Sequence, residues 1–106
     1  MYARIVTLNL KSNQLNSFKE TLDKQVIPML RKQNGFKDEI TFVGQSGVEV
    51  RTISFWDKKE NAEAYNSTAY PEVLKALANV IEGTPQIKTY DVVNSTLHQN
   101  LAFATV

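Results

Sequence analysis

The feature that most constrains the fold is a β-rich run at residues 48–56 that passes without a linker into a helical stretch beginning near Asp57. Alternate side chains of a strand point to opposite faces, so this run presents two separate sets of residues. Both sets include large apolar side chains, namely Val50 and Trp56 on one face and Ile53 and Phe55 on the other. Such a strand has to be covered on both sides, and the helix that follows it can cover only one.

Three more runs predict strands of the same sheet. Residues 2–10 are rich in β-branched and large apolar side chains. Residues 36–43 are joined to residues 48–56 by Gly44-Gln45-Ser46-Gly47, which favours a hairpin. Residues 86–97 alternate apolar and polar side chains, and we predict the last strand there because Gly83 and Pro85 are typical of a helix end.

Two helical regions separate these strands. The first covers about residues 15–33, and Pro28 inside it predicts a kink one turn earlier, because the proline ring crowds the carbonyl four residues back. In the second region Asp57 and Glu60 have the spacing of a capping box. Residues 66–68 then interrupt the pattern and predict two helical segments with a bend between them.

The order strand, helix, strand, strand, helix, strand predicts an α+β domain of the ferredoxin-like βαββαβ type. Its four-stranded antiparallel sheet carries both helical regions on one face. The other face would expose ~6 large apolar side chains, and covering them contributes about 10 kcal/mol. We therefore predict a homodimer formed through the sheet faces. Residues 1–97 form this domain, and residues 98–106 are predicted to be a C-terminal extension of it.

Composition disfavours several classes of function. A formal net charge of +1 provides no field that attracts nucleic acid or anionic lipid. No apolar run approaches the ~20 residues of a membrane-spanning helix. The absence of cysteine excludes disulfides and thiolate sites and fits a reducing, cytoplasmic location. His98 is the only histidine, so a metal site is disfavoured, and we expect no cofactor.

Three stretches together resemble the antibiotic biosynthesis monooxygenase (ABM) family. They are Gly35-Phe36 at the start of the second strand, Ile53-Ser54-Phe55-Trp56 at the end of the third, and Ala64-Tyr65 in the helix that follows. The resemblance covers nearly the whole chain. It implies a dimeric α+β barrel with a pocket between the sheet and the helices of each subunit, used in some members for cofactor-independent oxygenation of quinols or polyketide aromatics.

Some members of this family degrade haem with an asparagine, a tryptophan and a histidine. At the matching positions this chain has Val6 or Thr7, Tyr65 and Lys75. The axial ligand and its partner groups are therefore missing from the pattern, and haem degradation is not expected.

The resemblance also directs attention to a set of site residues. Tyr65 is the predicted catalytic residue, and Trp56, Tyr70 and Asn9 are the predicted substrate-binding residues. Each has a structural alternative that the sequence leaves open. Trp56 can fill the corner between helix and sheet, the tyrosines can be packing residues, and Asn9 can be a turn residue.

Two functional hypotheses follow. The first is a homodimeric, cofactor-independent monooxygenase that acts on a quinol or polyketide-type aromatic compound. The second is a non-catalytic dimeric module of the same fold that binds a small molecule. A cavity of about 300 Å³ beside Tyr65 with convergent polar groups would favour catalysis or ligand binding, and a filled core would favour an inert module.

Overall fold

The computed structural model describes residues 1–97, and its helices cover one face of an antiparallel sheet. The strands are β1 (Tyr2–Leu10), β2 (Phe36–Val43), β3 (Glu49–Trp56) and β4 (Ile81–Asp91), in the spatial order β2-β3-β1-β4. The helices are α1 (Leu15–Thr21), a π-helical segment (Leu22–Val26), α2 (Ile27–Arg31), α3 (Lys59–Thr68) and α4 (Tyr70–Leu77). The predicted α+β, ferredoxin-like βαββαβ fold is confirmed. The extension predicted at residues 98–106 lies outside the described residues.

The two faces of the sheet differ in burial as the alternation predicts. On the face under the helices Leu8 lies opposite Val50, and both side chains are buried. On the other face, which we call the open face, Ile5 lies opposite Ile53 and both are half-buried. None of the helices within residues 1–97 is long and apolar enough to cross a membrane.

A π-helical segment, Leu22–Val26, lies where Pro28 predicts a kink. Proline has no N–H to donate and crowds the carbonyl four residues back, so a regular α-helical turn cannot continue through this point. A π-helical turn accommodates the mismatch by widening the helix, and such turns are frequent at functional sites.

The prediction for the last strand was wrong at both ends, since β4 begins at Ile81 and ends at Asp91. Gly83 has φ of +72°, and the pairing of β4 with β1 shifts register around it. An irregularity of this kind accommodates a left-handed glycine and a proline that cannot donate to the ladder. Gly83 and Pro85 therefore lie within the strand and do not end a helix.

The predicted capping box at Asp57 was also wrong. Helix α3 starts at Lys59, and Lys58 occupies the cap position without a side-chain hydrogen bond. The Asp57 carboxylate accepts instead from the Asn61 side-chain amide at 2.8 Å, and the Asp57 N–H donates to the carbonyl of Gly35 at 2.9 Å. Asp57 thus ties the start of α3 to the turn that precedes β2.

Gly35 is expected to accept a side chain only with a loss of stability. Its φ is +79°, and an added Cβ would overlap the carboxylate of Asp57 and the amide of Asn61. Gly47 also has a positive φ, +76°, but a Cβ added there would have no other atom within 4 Å. Gly47→Ala should therefore cost about 1–2 kcal/mol from backbone strain alone, and Gly35→Ala about 1–3 kcal/mol more from the clash.

Urea unfolding of both variants measures the two free energies. Equal losses for Gly35→Ala and Gly47→Ala would contradict the clash, because they would show that Asp57 and Asn61 move aside without cost.

Candidate functional site

A cavity of about 40 Å³ lies between the sheet and the helices. Apolar side chains from α1, the π-helical segment, α2 and α4 form the helical side of its wall, including Leu22 and Val26 of the π-helical segment. It has room for a few water molecules and is smaller than the ~300 Å³ of a typical ligand pocket. The polar groups that line it are Arg4, Glu39, Thr52, Ser54, Tyr65 and Tyr70.

Arg4 is the buried cation of this cavity, with 3% of its surface exposed. Its Nη2 donates to Oδ1 of Asn66 at 2.8 Å, and its Cζ lies 4.0 Å from the ring centre of Tyr70 and 5.2 Å from that of Tyr65. Burial lowers the pKa of the guanidinium from its usual value, but arginine remains charged in proteins.

No carboxylate pairs with Arg4 within residues 1–97. The ion pairs there join Lys24 with Glu20, Lys59 with Glu63, and Lys75 with Glu72, all of them exposed. A buried charge is costly unless it is paired, and the aromatic faces and the Asn66 amide compensate only part of that cost. The site therefore holds a positive charge that can stabilise an anion.

Tyr65 and Tyr70 lie next to each other beside the guanidinium, with ring centres 6.0 Å apart. Both are buried, and both line the cavity. Burial raises the pKa of Tyr65 to about 12, partly offset by the charge of Arg4, and burial also raises the pKa of Tyr70. Both hydroxyls therefore stay protonated at neutral pH and can donate a hydrogen bond.

Trp56 lies behind Tyr65 and is fully buried. Its ring centre is 5.1 Å from that of Tyr65 and 5.7 Å from that of Phe36. The indole N–H donates to Oγ of Ser54 at 2.9 Å. Trp56 thus fills the corner between α3 and the sheet, and it supports the wall of the cavity without lining it.

Asn9 does not reach this cavity, although we predicted it as a substrate-binding residue. It is exposed near the far end of β1, opposite Glu49 on one side and Glu82 on the other. The alternation of β1 places Asn9 on the open face, whereas Arg4 and Val6 lie on the helix-covered face. Tyr65 and Tyr70 therefore line the cavity, Trp56 packs behind Tyr65, and Asn9 lies outside the cavity.

Arg4 and Glu39 are the charged residues of the cavity, and neither was predicted from the sequence. A signal for Arg4 was present, because it falls in the same phase of β1 as Val6 and Leu8 and so belongs to the buried face. Glu39 shares its face with Thr41, but nothing in the local pattern of β2 distinguishes that face from the open one. Within residues 1–97 no group of three His, Cys, Asp or Glu side chains is arranged to hold a metal ion.

No protein-family sequence model matches this chain, and no curated protein matches it by sequence. Its fold, however, is similar to solved structures. The ActVA-Orf6 monooxygenase of Streptomyces coelicolor, solved in complex with nanaomycin D, matches 89% of this chain and 88% of its own, with a TM-score of 0.75 and 15% identity.

Two further structures give the same result. SnoaB, a cofactor-independent oxygenase from Streptomyces nogalater, matches 90% of this chain and 95% of its own, with a TM-score of 0.72 and 10% identity. A candidate antibiotic biosynthesis monooxygenase from Bordetella bronchiseptica matches 88% and 97%, with a TM-score of 0.75 and 14% identity. At these identities the likeness establishes the fold, and the predicted resemblance to ABM proteins is confirmed at that level.

Proposed function

We propose that this protein, which has the fold of the ABM proteins, binds a small phenolic or quinol-type aromatic molecule beside Arg4 and oxygenates it without a cofactor. The observation that carries the proposal is the buried guanidinium at the cavity wall, which pairs with no carboxylate among the described residues. A positive charge in a site of low polarity stabilises a phenolate far better than water does.

The reaction needs few other groups from the protein. An electron-rich phenolate can react with O₂ directly and supplies the electrons itself, so the site has to exclude water, orient the ring and stabilise the anion. Tyr65 and Tyr70 offer protonated hydroxyls for the last task. The fold shared with a cofactor-independent oxygenase and with a monooxygenase solved with nanaomycin D supports this function.

The second candidate function is a non-catalytic module of the same fold that binds a small molecule, and the size of the cavity bears on both functions. At about 40 Å³ the cavity has to widen before an aromatic ring can enter. The π-helical segment is the element best placed to move, because Leu22 and Val26 form part of the wall and the helix is already irregular there. A single-ring compound requires the least opening.

Oxygen uptake measured with a panel of quinols separates the two functions. Wild type should consume O₂ with at least one quinol, and Tyr65→Phe should lower the rate roughly tenfold because one neutral hydrogen bond is lost. Tyr90→Phe is the matched control, since the side chain of Tyr90 lies outside the cavity. If no quinol supports uptake above autoxidation, the binding module is the remaining function.

We also propose that the protein is a homodimer that joins two open faces, located in the cytoplasm. Ile5, Ile53 and Phe55 on this face are only half-buried in the single chain, and Phe42 and Tyr90 are each 51% exposed. Covering a face of this kind is favourable at about 25 cal/mol per Å².

Ile53→Arg is therefore expected to convert a dimer into a monomer, because it places a charge at the centre of the open face, which the dimer would bury. Sedimentation at micromolar concentration checks this, with Ser17→Arg on exposed α1 as a control that adds the same charge elsewhere. A wild-type monomer under these conditions would contradict the dimer.

A further inference from the structure

Glu39 lies in the same row of the sheet as Arg4. The register places Glu39 of β2 opposite Ser54 of β3, and Ser54 opposite Arg4 of β1. Opposed residues share a face, and neighbouring strands lie ~4.8 Å apart, so the Cα atoms of Glu39 and Arg4 are roughly 10 Å apart. Both side chains line the cavity. The cavity therefore has a carboxyl group toward one side and a guanidinium toward the other.

Neither of these groups neutralises the other. The hydroxyl of Thr41 donates to a carboxylate oxygen of Glu39, and Arg4 donates to Asn66. No ion pair joins Glu39 to Arg4 in the described part of the chain. Each charge is held by its own neutral partner, which leaves the space between them for a ligand.

The surroundings of Glu39 favour proton uptake. Burial raises the pKa of its carboxyl; the hydrogen bond from Thr41 opposes the rise, and the charges of Asp38 and Asp23 add to it. A general base works best when its pKa lies near the working pH. Tyr65 does not fit that role, because its pKa of about 12 keeps it protonated.

Glu39 also borders an open groove on the outside of the domain, between the first helical region and β2. The charged side chains there are Asp23, Arg31, Lys37 and Asp38. A proton taken up by Glu39 inside the cavity can therefore leave to solvent water on the groove side without crossing the apolar wall.

We propose that Glu39 is the catalytic proton acceptor of this site, an inference that rests on the proposed oxygenase function. An O–H bond of the bound phenol breaks, its electron pair stays on the substrate oxygen, and the proton moves to a carboxylate oxygen of Glu39. The proton then passes to water in the groove. Arg4 holds the substrate from the other side of the cavity.

The separation of Glu39 and Arg4 selects a class of substrate. A para-quinol has an oxygen at each end of its ring, so one hydroxyl can face Glu39 while the other oxygen accepts from Arg4. A monohydroxy compound of the same size makes one hydrogen bond fewer to these charged groups. Losing a hydrogen bond to a charged group costs about 1.5–3 kcal/mol, which corresponds to a preference for the quinol of roughly 10- to 100-fold.

Initial rates of oxygen uptake with hydroquinone, and with 4-methylphenol as the monohydroxy comparison, test this inference. Glu39→Gln keeps the shape and the contact with Thr41 but cannot accept the proton, so the rate should fall about 10²–10⁴-fold. In wild type the rate should rise with pH as Glu39 ionises and then level off. That rise should be absent from Glu39→Gln and retained, at a lower rate, by Glu39→Asp.

Glu49→Gln is the control, because Glu49 is an exposed carboxylate on β3 outside the cavity. Circular dichroism establishes that each variant is folded. A wild-type rate and pH profile in Glu39→Gln would overturn the role of Glu39 and leave the proposed function intact. Absence of uptake by wild type with every quinol would overturn the proposed function, and this inference with it.

Discussion

Arg4→Met is expected to lower the rate of oxygen uptake with quinols by about 10²–10³-fold, the loss typical of removing one preorganised donor to a developing anion. The same substitution should leave the free energy of unfolding within about 1 kcal/mol of wild type or increase it, because an apolar side chain of similar length replaces a buried charge that has no carboxylate partner. A large loss of rate without a loss of stability would show that Arg4 serves the reaction and not the fold.

The structure makes this separation feasible. Asn66, the hydrogen-bond partner of Arg4, is exposed and can bond to water when the guanidinium is removed. Methionine also packs well against the rings of Tyr65 and Tyr70, since its sulfur makes favourable contacts with aromatic edges. The buried group that loses a hydrogen bond when Arg4 is replaced is the hydroxyl of Tyr70, which lines the cavity.

Oxygen uptake and urea unfolding are measured on the same preparations of Arg4→Met. Lys19→Met serves as the control, since Lys19 is exposed on α1 outside the cavity and should change neither quantity by much. Arg4→Lys retains the positive charge but lacks the planar guanidinium group, so its rate should lie between those of Arg4→Met and wild type. If Arg4→Met is strongly destabilised and its rate per folded molecule is unchanged, Arg4 is a structural residue.

Trp56→Ala is expected to lower the free energy of unfolding by about 3–5 kcal/mol, which is the range for removing a fully buried aromatic side chain. The substitution removes the packing between the rings of Phe36 and Tyr65 and leaves a cavity at the corner of the sheet. It also leaves the hydroxyl of Ser54 without the indole N–H that donates to it.

Trp56→Phe distinguishes a packing role from a role in binding. It keeps a ring between Phe36 and Tyr65, so the expected loss is only about 1–2 kcal/mol, from the smaller volume and the missing hydrogen bond. Oxygen uptake should stay close to wild type, because Trp56 does not line the cavity.

Urea unfolding followed by circular dichroism measures these losses, and Leu97→Ala is the control at an exposed apolar side chain. A stable Trp56→Phe variant that has lost oxygen uptake would show that Trp56 contacts the ligand.

The order of the secondary structure elements was predictable because each depends on a local pattern. Side chains alternate along a strand and recur every 3.6 residues along a helix. The pattern of residues 2–10 and 48–56 therefore predicts strands without any tertiary information. Pro28 likewise predicts an interruption one turn earlier, because the steric conflict lies within its own helix. What this local rule does not specify is that the interruption takes the form of a π-helical segment.

The misplaced start of β4 shows where local patterns fail. Gly83 and Pro85 are common after a helix, and nothing nearby in sequence contradicts that interpretation. Their role in a strand becomes visible only when β1 lies beside them and the register shift accommodates them. Asp57 is a similar case, since its carboxylate is positioned by Asn61 and by the close approach of Gly35, and not by the helix start it precedes.

The order of the elements and the class of fold follow from the sequence alone, since they depend on the period of the backbone and on residue type. The contents of the site depend on the tertiary structure. Arg4 and Glu39 are both polar residues on strands. Their place in the same cavity depends on the register, which puts each of them opposite Ser54. That register is set by contacts between residues far apart in sequence, which no local pattern encodes.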